Sequence, residues 1–158
     1  MKKKKEPERR ANTAVERRVI SKVPTSKEAW FRDEVIVVED DRALADMIAY
    51  ALESSGRMVT VYYDGAQALR EMVALPETGA RRVVLLSIDL AGIDGHTLHE
   101  RMQSLRPGAF LVAFLSTRAS ETDQIRALRA GAVDYIVKPV SIHVLMEKIA
   151  VWLALASG

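Results

Sequence analysis

Val35-Ile36-Val37-Val38-Glu39-Asp40-Asp41 is the stretch from which the rest of the chain can be read. Four β-branched residues in a row suit a strand buried on both faces, as in a parallel sheet covered by helices. Acids follow at once, and then Leu44, Ala45, Ile48, Ala49 and Leu52 recur at helical spacing, with Gly56 placed to end that helix. The same strand-then-helix unit repeats downstream. Met58–Tyr63, Arg82–Leu86, Phe110–Leu115 and Val133–Val137 read as strands, while Ala66–Leu75, Thr97–Leu105, Glu121–Ala130 and a last segment opened by Ser141 read as helices. Pro76, Pro107-Gly108 and Gly131 punctuate the series. Strict alternation predicts right-handed crossovers and an α/β fold, a doubly wound five-stranded parallel sheet with helices on both faces.

The region upstream differs in kind. Residues 1–33 hold eleven Lys/Arg against five Asp/Glu, a balance of +6, whereas the remainder carries −4. Pro7, Pro24 and scattered charge, with almost no apolar periodicity, predict a largely disordered basic extension over 1–33 and a domain over 34–156. A basic arm could dock nucleic acid or an acidic partner; its composition favours a solvated arm, so nucleic acid is not the expected partner. No apolar segment follows the lysines at 2–5, which excludes a secretory signal, and no run is long enough to span a bilayer. The expected location is cytoplasmic. The absence of cysteine excludes disulfides, thiolate metal sites and cysteine nucleophiles.

In open α/β sheets the working residues lie beyond the carboxyl ends of the strands. Those ends carry Glu39 and Asp40, then Ser87, then Ser116, then Lys138-Pro139. Two carboxylates offer hard oxygen ligands to Mg2+, and hydroxyl and ammonium groups can hold phosphoryl oxygens. Negative charge after the first strand argues against a flavin or nucleotide phosphate cradle there.

Four ordered motifs carry a resemblance: Val-Val-Glu39-Asp40-Asp41, Leu-Leu-Ser87-Ile-Asp89-Leu-Ala-Gly-Ile-Asp94-Gly95, Phe-Leu-Ser116-Thr117, and Ala130-Gly131-Ala-Val-Asp134-Tyr135-Ile-Val-Lys138-Pro139. Over about Glu34 to Leu155 the chain resembles the receiver domain of two-component response regulators, CheY-like in type. That resemblance implies the flavodoxin-like strand order 2-1-3-4-5. It implies that Glu39 and Asp40 hold a magnesium ion completed by the backbone carbonyl of Asp89. Ser116 matches the hydroxyl that moves toward a phosphoryl group, Tyr135 the aromatic that swings inward with it, Lys138 the invariant lysine, and Pro139 a proline reached through a cis bond. Implied partners are a histidine kinase, a phosphotransfer protein or another receiver-binding protein, with the helix-four to helix-five face as the dimer or output face. No enzymatic activity and no output domain after the last helix are expected.

One position departs from the family pattern. The acceptor aspartate should stand seven residues before the aspartate of the Asp94-Gly95 turn, and that count lands on Ser87. A serine hydroxyl is a poor nucleophile unless a neighbour takes its proton, and a protonated Lys138 is a poor base. Magnesium also loses one of three carboxylates, which should weaken it about ten-fold or more. The expectation is a degenerate receiver working through protein contact, with Lys138 free to pair with Glu39 or Asp40. The alternatives are phosphorylation at another residue such as Asp89, or a binding module acting through the basic arm. A phosphatase with an aspartate nucleophile is not the expected function, because Ser87-Ile88-Asp89 lacks the first acid of an Asp-x-Asp strand end.

Two further signals are read plainly. His96 and His99 share helical spacing, but nothing completes a metal site, so they read as surface helix residues, and His143 is given no role. The last two turns are apolar all round, from Ile149 to Leu155, and one helix face cannot bury them all, which points to self-association.

Overall fold

A computed structural model describes residues 17–19 and 34–158. Its elements in chain order are β1 (Arg17–Val19), β2 (Glu34–Val38), α1 (Arg42–Ser54), β3 (Met58–Tyr62), α2 (Gly65–Val73), β4 (Arg82–Ser87), α3 (Gly95–Leu105), β5 (Phe110–Ser116), α4 (Glu121–Arg129), β6 (Asp134–Val137) and α5 (Ile142–Ser157). The sheet order is β1-β3-β2-β4-β5-β6, and every pairing among β2 to β6 is parallel. Counted without β1, this is the expected order 2-1-3-4-5.

The sixth strand is an addition to the expectation. Arg17–Val19 lies antiparallel to β3 at the sheet edge, with Arg17 opposite Val61 and Val19 opposite Val59. Three residues are too short to show a period, so no sequence pattern announces this strand. The rest of the predicted basic extension lies outside the described residues.

Strand side chains alternate between two cores, as a period of two requires. Val35, Val37, Val83 and Leu85 face α1 and α5, where they meet Ile48, Leu52, Leu145, Ile149 and Trp152. Ile36, Val38, Val84 and Leu86 face the other layer and meet Met72 of α2, Leu98 and Met102 of α3, and Ala127 of α4. Each helix begins on a side chain that accepts a hydrogen bond from its first-turn amides: Asp41, Asp64, Asp94, Ser120 and Ser141 in turn. Such caps fix where each strand-to-helix loop ends, and those loops carry the site.

The histidines are the correction to the sequence reading. His96 and His99 are 4% and 1% exposed, and both rings lie against Phe114, at 5.3 and 5.2 Å between centroids. They are core residues. α3 turns that face inward because Leu98 and Met102 on the same helix also pack on β4 and β5. On α5, Leu145, Ile149, Trp152, Leu153 and Ala156 are buried, while Val144, Val151 and Leu155 remain at least half exposed. One face indeed cannot take all of that helix's apolar residues.

No described helix is long and apolar enough to cross a membrane.

Candidate functional site

The carboxyl ends of β2, β4, β5 and β6 bring two small polar clusters together. The inner one joins three strand ends. Glu39 follows β2 directly and is fully buried; Lys138 follows β6 and donates to Glu39 Oε1 at 2.8 Å. The same ammonium donates to the hydroxyl of Ser87, the last residue of β4, at 3.3 Å. Ser87 is itself fully buried. The register explains this meeting. Ser87 pairs with Leu115 and Val137 with Ser116, so the ends of β4, β5 and β6 lie level. Lys138 continues the ladder by donating its backbone N–H to the Ser116 carbonyl at 2.8 Å, and the Lys138–Pro139 bond is cis.

Of the two acids after β2, only Glu39 belongs to this cluster. Asp40 is exposed, and its Oδ2 accepts from the backbone N–H of Ala91 at 3.3 Å. Asp41, the third, caps α1.

The outer cluster centres on Asp89, two residues beyond Ser87. Its Oδ2 accepts from the Ser116 hydroxyl at 3.3 Å and from the Thr117 hydroxyl at 3.4 Å, and its Oδ1 lies 3.1 Å from the Arg118 guanidinium. Ser116 Oγ in turn accepts the backbone N–H of Arg118 at 3.0 Å. Tyr135 is 8% exposed, and its hydroxyl donates to the Arg118 carbonyl at 2.7 Å. The family resemblance implies a role for Asp89 only through its backbone; its side chain has the larger part here. Nothing in the sequence pattern marks Arg118, because its partner Asp89 lies in a different loop, the one after β4.

Asp94-Gly95 sets the floor of the site. Asp94 caps α3 by accepting from Thr97, and Gly95 donates its N–H to the Ile88 carbonyl at 2.8 Å. A Cβ at Gly95 would strike the Ser87 carbonyl oxygen and the Ile88 Cα, so only glycine lets α3 start this close to β4. Burial works to raise the Asp94 carboxyl, but hydrogen bonds from Thr97 and the nearby His96 outweigh it, and its pKa lies below the ordinary value. Burial pushes both His96 and His99 down, helped at His96 by Arg126 and at His99 by His96.

The carboxylates are poorly arranged for a magnesium ion. Glu39 Oε1 is already paired with Lys138, while its Oε2 is buried with no hydrogen-bond partner among the described residues. Asp40 points to the Ala91 amide, and a hydroxyl stands at Ser87. No three His, Cys, Asp or Glu side chains converge among the described residues. Two carboxylates, one paired with an ammonium and the other hydrogen-bonded to an amide, fit a hard dication poorly.

Residues 35–150 match the family described as Response regulator receiver domain, so the chain belongs to the response-regulator receiver family. It is 34% identical over 115 residues to the sensory transduction protein RegX3 of Mycolicibacterium smegmatis, a match covering 73% of this chain and 48% of that one. It is 34% identical over 111 residues to the transcriptional regulatory protein CreB of Escherichia coli, covering 70% and 46%. The chain thus spans about half the length of these curated relatives. Among solved structures, a CheY-like receiver domain protein from Methanospirillum hungatei superposes with a TM-score of 0.69 at 29% identity, covering 78% of this chain and 95% of that one.

Proposed function

We propose that this chain is a degenerate receiver of a two-component pathway, one that signals by binding partners rather than by accepting phosphate at Ser87. The observation that carries the reading is the inner cluster. A buried hydroxyl at the end of β4 faces Lys138, whose charge is already met by Glu39. Among the described residues no neighbouring group is placed to take the hydroxyl proton, and an un-ionised hydroxyl is a poor nucleophile. The remaining acids hold magnesium weakly. Partners of the kind the family engages, a histidine kinase or a phosphotransfer protein, would read the surface of the domain in the cytoplasm.

The test is incubation with acetyl phosphate and Mg2+, comparing wild type with Ser87→Asp. Wild type should take no label, and the variant should gain a hydroxylamine-labile acyl phosphate. Hydroxylamine-resistant label on Ser87, or an acyl phosphate on Asp89, would refute the reading.

Self-association through α4 and α5 is a second proposal. Val144, Val151 and Leu155 form an exposed apolar stripe on α5, and Ile125 and Leu128 are exposed on α4. Sedimentation of Val151→Lys/Leu155→Lys against wild type should show the dimer lost.

A further inference from the structure

We infer that the Asp89 carboxylate is a built-in latch, an internal anion that fixes the loop after β5 and keeps Tyr135 buried. This latch operates whether or not Ser87 can be phosphorylated, so it stands apart from the proposed function.

Three donors from consecutive residues converge on this one carboxylate: the Ser116 and Thr117 hydroxyls and the Arg118 guanidinium. A chain folding back on itself would not by itself present three successive side chains to one acceptor from another loop. The hydroxyl of Ser116 is used twice, donating to Asp89 and accepting from the Arg118 N–H. The carboxylate therefore acts on the backbone of the loop through Ser116 as well as on its side chains. Arg118 next offers its carbonyl to Tyr135 Oη at 2.7 Å. The links run in series: Asp89 after β4, the loop after β5, then Tyr135 in β6. Three adjacent strands are linked through one charge.

An anion is the right group for this position. A neutral amide could accept hydrogen bonds but could not balance the charge of the guanidinium, and hydrogen bonds to an ionised acceptor are roughly twice as strong as neutral ones. Asp89 and Arg118 are 38% and 54% exposed, so the ion pair is partly screened and the latch is modest in strength. A modest latch biases a loop without freezing it. It also conflicts with Asp89 as a phosphate acceptor, because forming an acyl phosphate at Oδ2 would take the acceptor of the two hydroxyls, and at Oδ1 the acceptor of the guanidinium.

Amide hydrogen exchange on the full-length chain reads the latch at the Arg118 N–H, which Ser116 holds only while the loop is in place. Asp89→Ala and Arg118→Gln should each speed exchange at that amide on the order of five-fold, in keeping with one screened ion pair and its hydrogen bonds. The double variant should not exceed Asp89→Ala by much, since that change already removes the acceptor of the Arg118 guanidinium. Nitration of Tyr135 by tetranitromethane should quicken in the same variants. Amides of β2 and β4 should exchange as in wild type. Unchanged exchange at Arg118 would overturn the inference. So would effects of the two substitutions that simply multiply, or a rise shared equally by the β2 and β4 amides, which would mark general destabilisation.

Discussion

Replacing Lys138 by methionine should cost far more than removing an ordinary surface lysine. The ammonium sits 2.8 Å from Glu39 Oε1 and is only 16% exposed, while Glu39 is fully buried. Lys138→Met keeps most of the side-chain volume but leaves a carboxylate in a dry site with no counter-charge. Stranding one partner of a buried pair costs about 3–5 kcal/mol. For a chain of this size each kcal/mol lowers Tm by about 2–4 °C, so the variant should melt about 6–20 °C below wild type. Glu39→Gln/Lys138→Met removes both charges, and it should recover most of that loss, because a matched pair in a dry site contributes little net stability. Urea unfolding at pH 7 of wild type, both single variants and the double variant gives the cycle directly. A Lys138→Met loss below about 1 kcal/mol, or a double variant no better than Lys138→Met, would mean that Glu39 is not a stranded charge.

Two further outcomes follow from the same geometry. His96 and His99 have folded pKa values below the ordinary 6.5 because both are buried. The unfolded chain therefore takes up protons first, so stability is full above about pH 6.5 and falls as pH drops from there toward the folded values. The slope is at most about 2.7 kcal/mol per pH unit, two protons at roughly 1.36 kcal/mol each. Arg126, Asp123, Arg118, Asp94 and Glu100 also face the pair. A His96→Gln/His99→Leu variant should flatten the slope between about pH 6.5 and 5, and an unchanged slope there would assign it to other groups. Gly95→Ala should lower urea stability by about 1–3 kcal/mol, the usual cost of forcing a methylene into packed space, since its Cβ meets the Ser87 carbonyl and Ile88 Cα. A variant as stable as wild type would show that α3 can shift away from β4 freely.

Much of the fold is legible in the sequence because its signals are local. Val35–Val38 needs only its own composition to read as a doubly buried strand, and Ser141 stands where a helix cap belongs. Crossover handedness then limits the topology. The site is legible only in outline: strand ends lie together in any parallel sheet of this order, so the sequence places Glu39, Ser87, Ser116 and Lys138 at one edge. It does not say which of them touch. Two adjacent acids, Glu39 and Asp40, have nearly the same sequence context, yet the end of β2 directs one to Lys138 and the other to the Ala91 amide. His96 and His99 look like surface residues by composition, and only the seating of α3 on Phe114 buries them.

Period, capping and composition act within a few residues, and they suffice for the alternation of strand and helix, the helix starts and the identity of the groups gathered at the sheet edge. It takes the assembled sheet to commit the charge of Lys138 to Glu39, to bring Asp89 to Arg118 across two loops, and to seat Arg17–Val19 at the edge beside β3. Those contacts join residues from different strands or loops, and the direction of a side chain across such a gap is set by the register and twist of the strands that hold it.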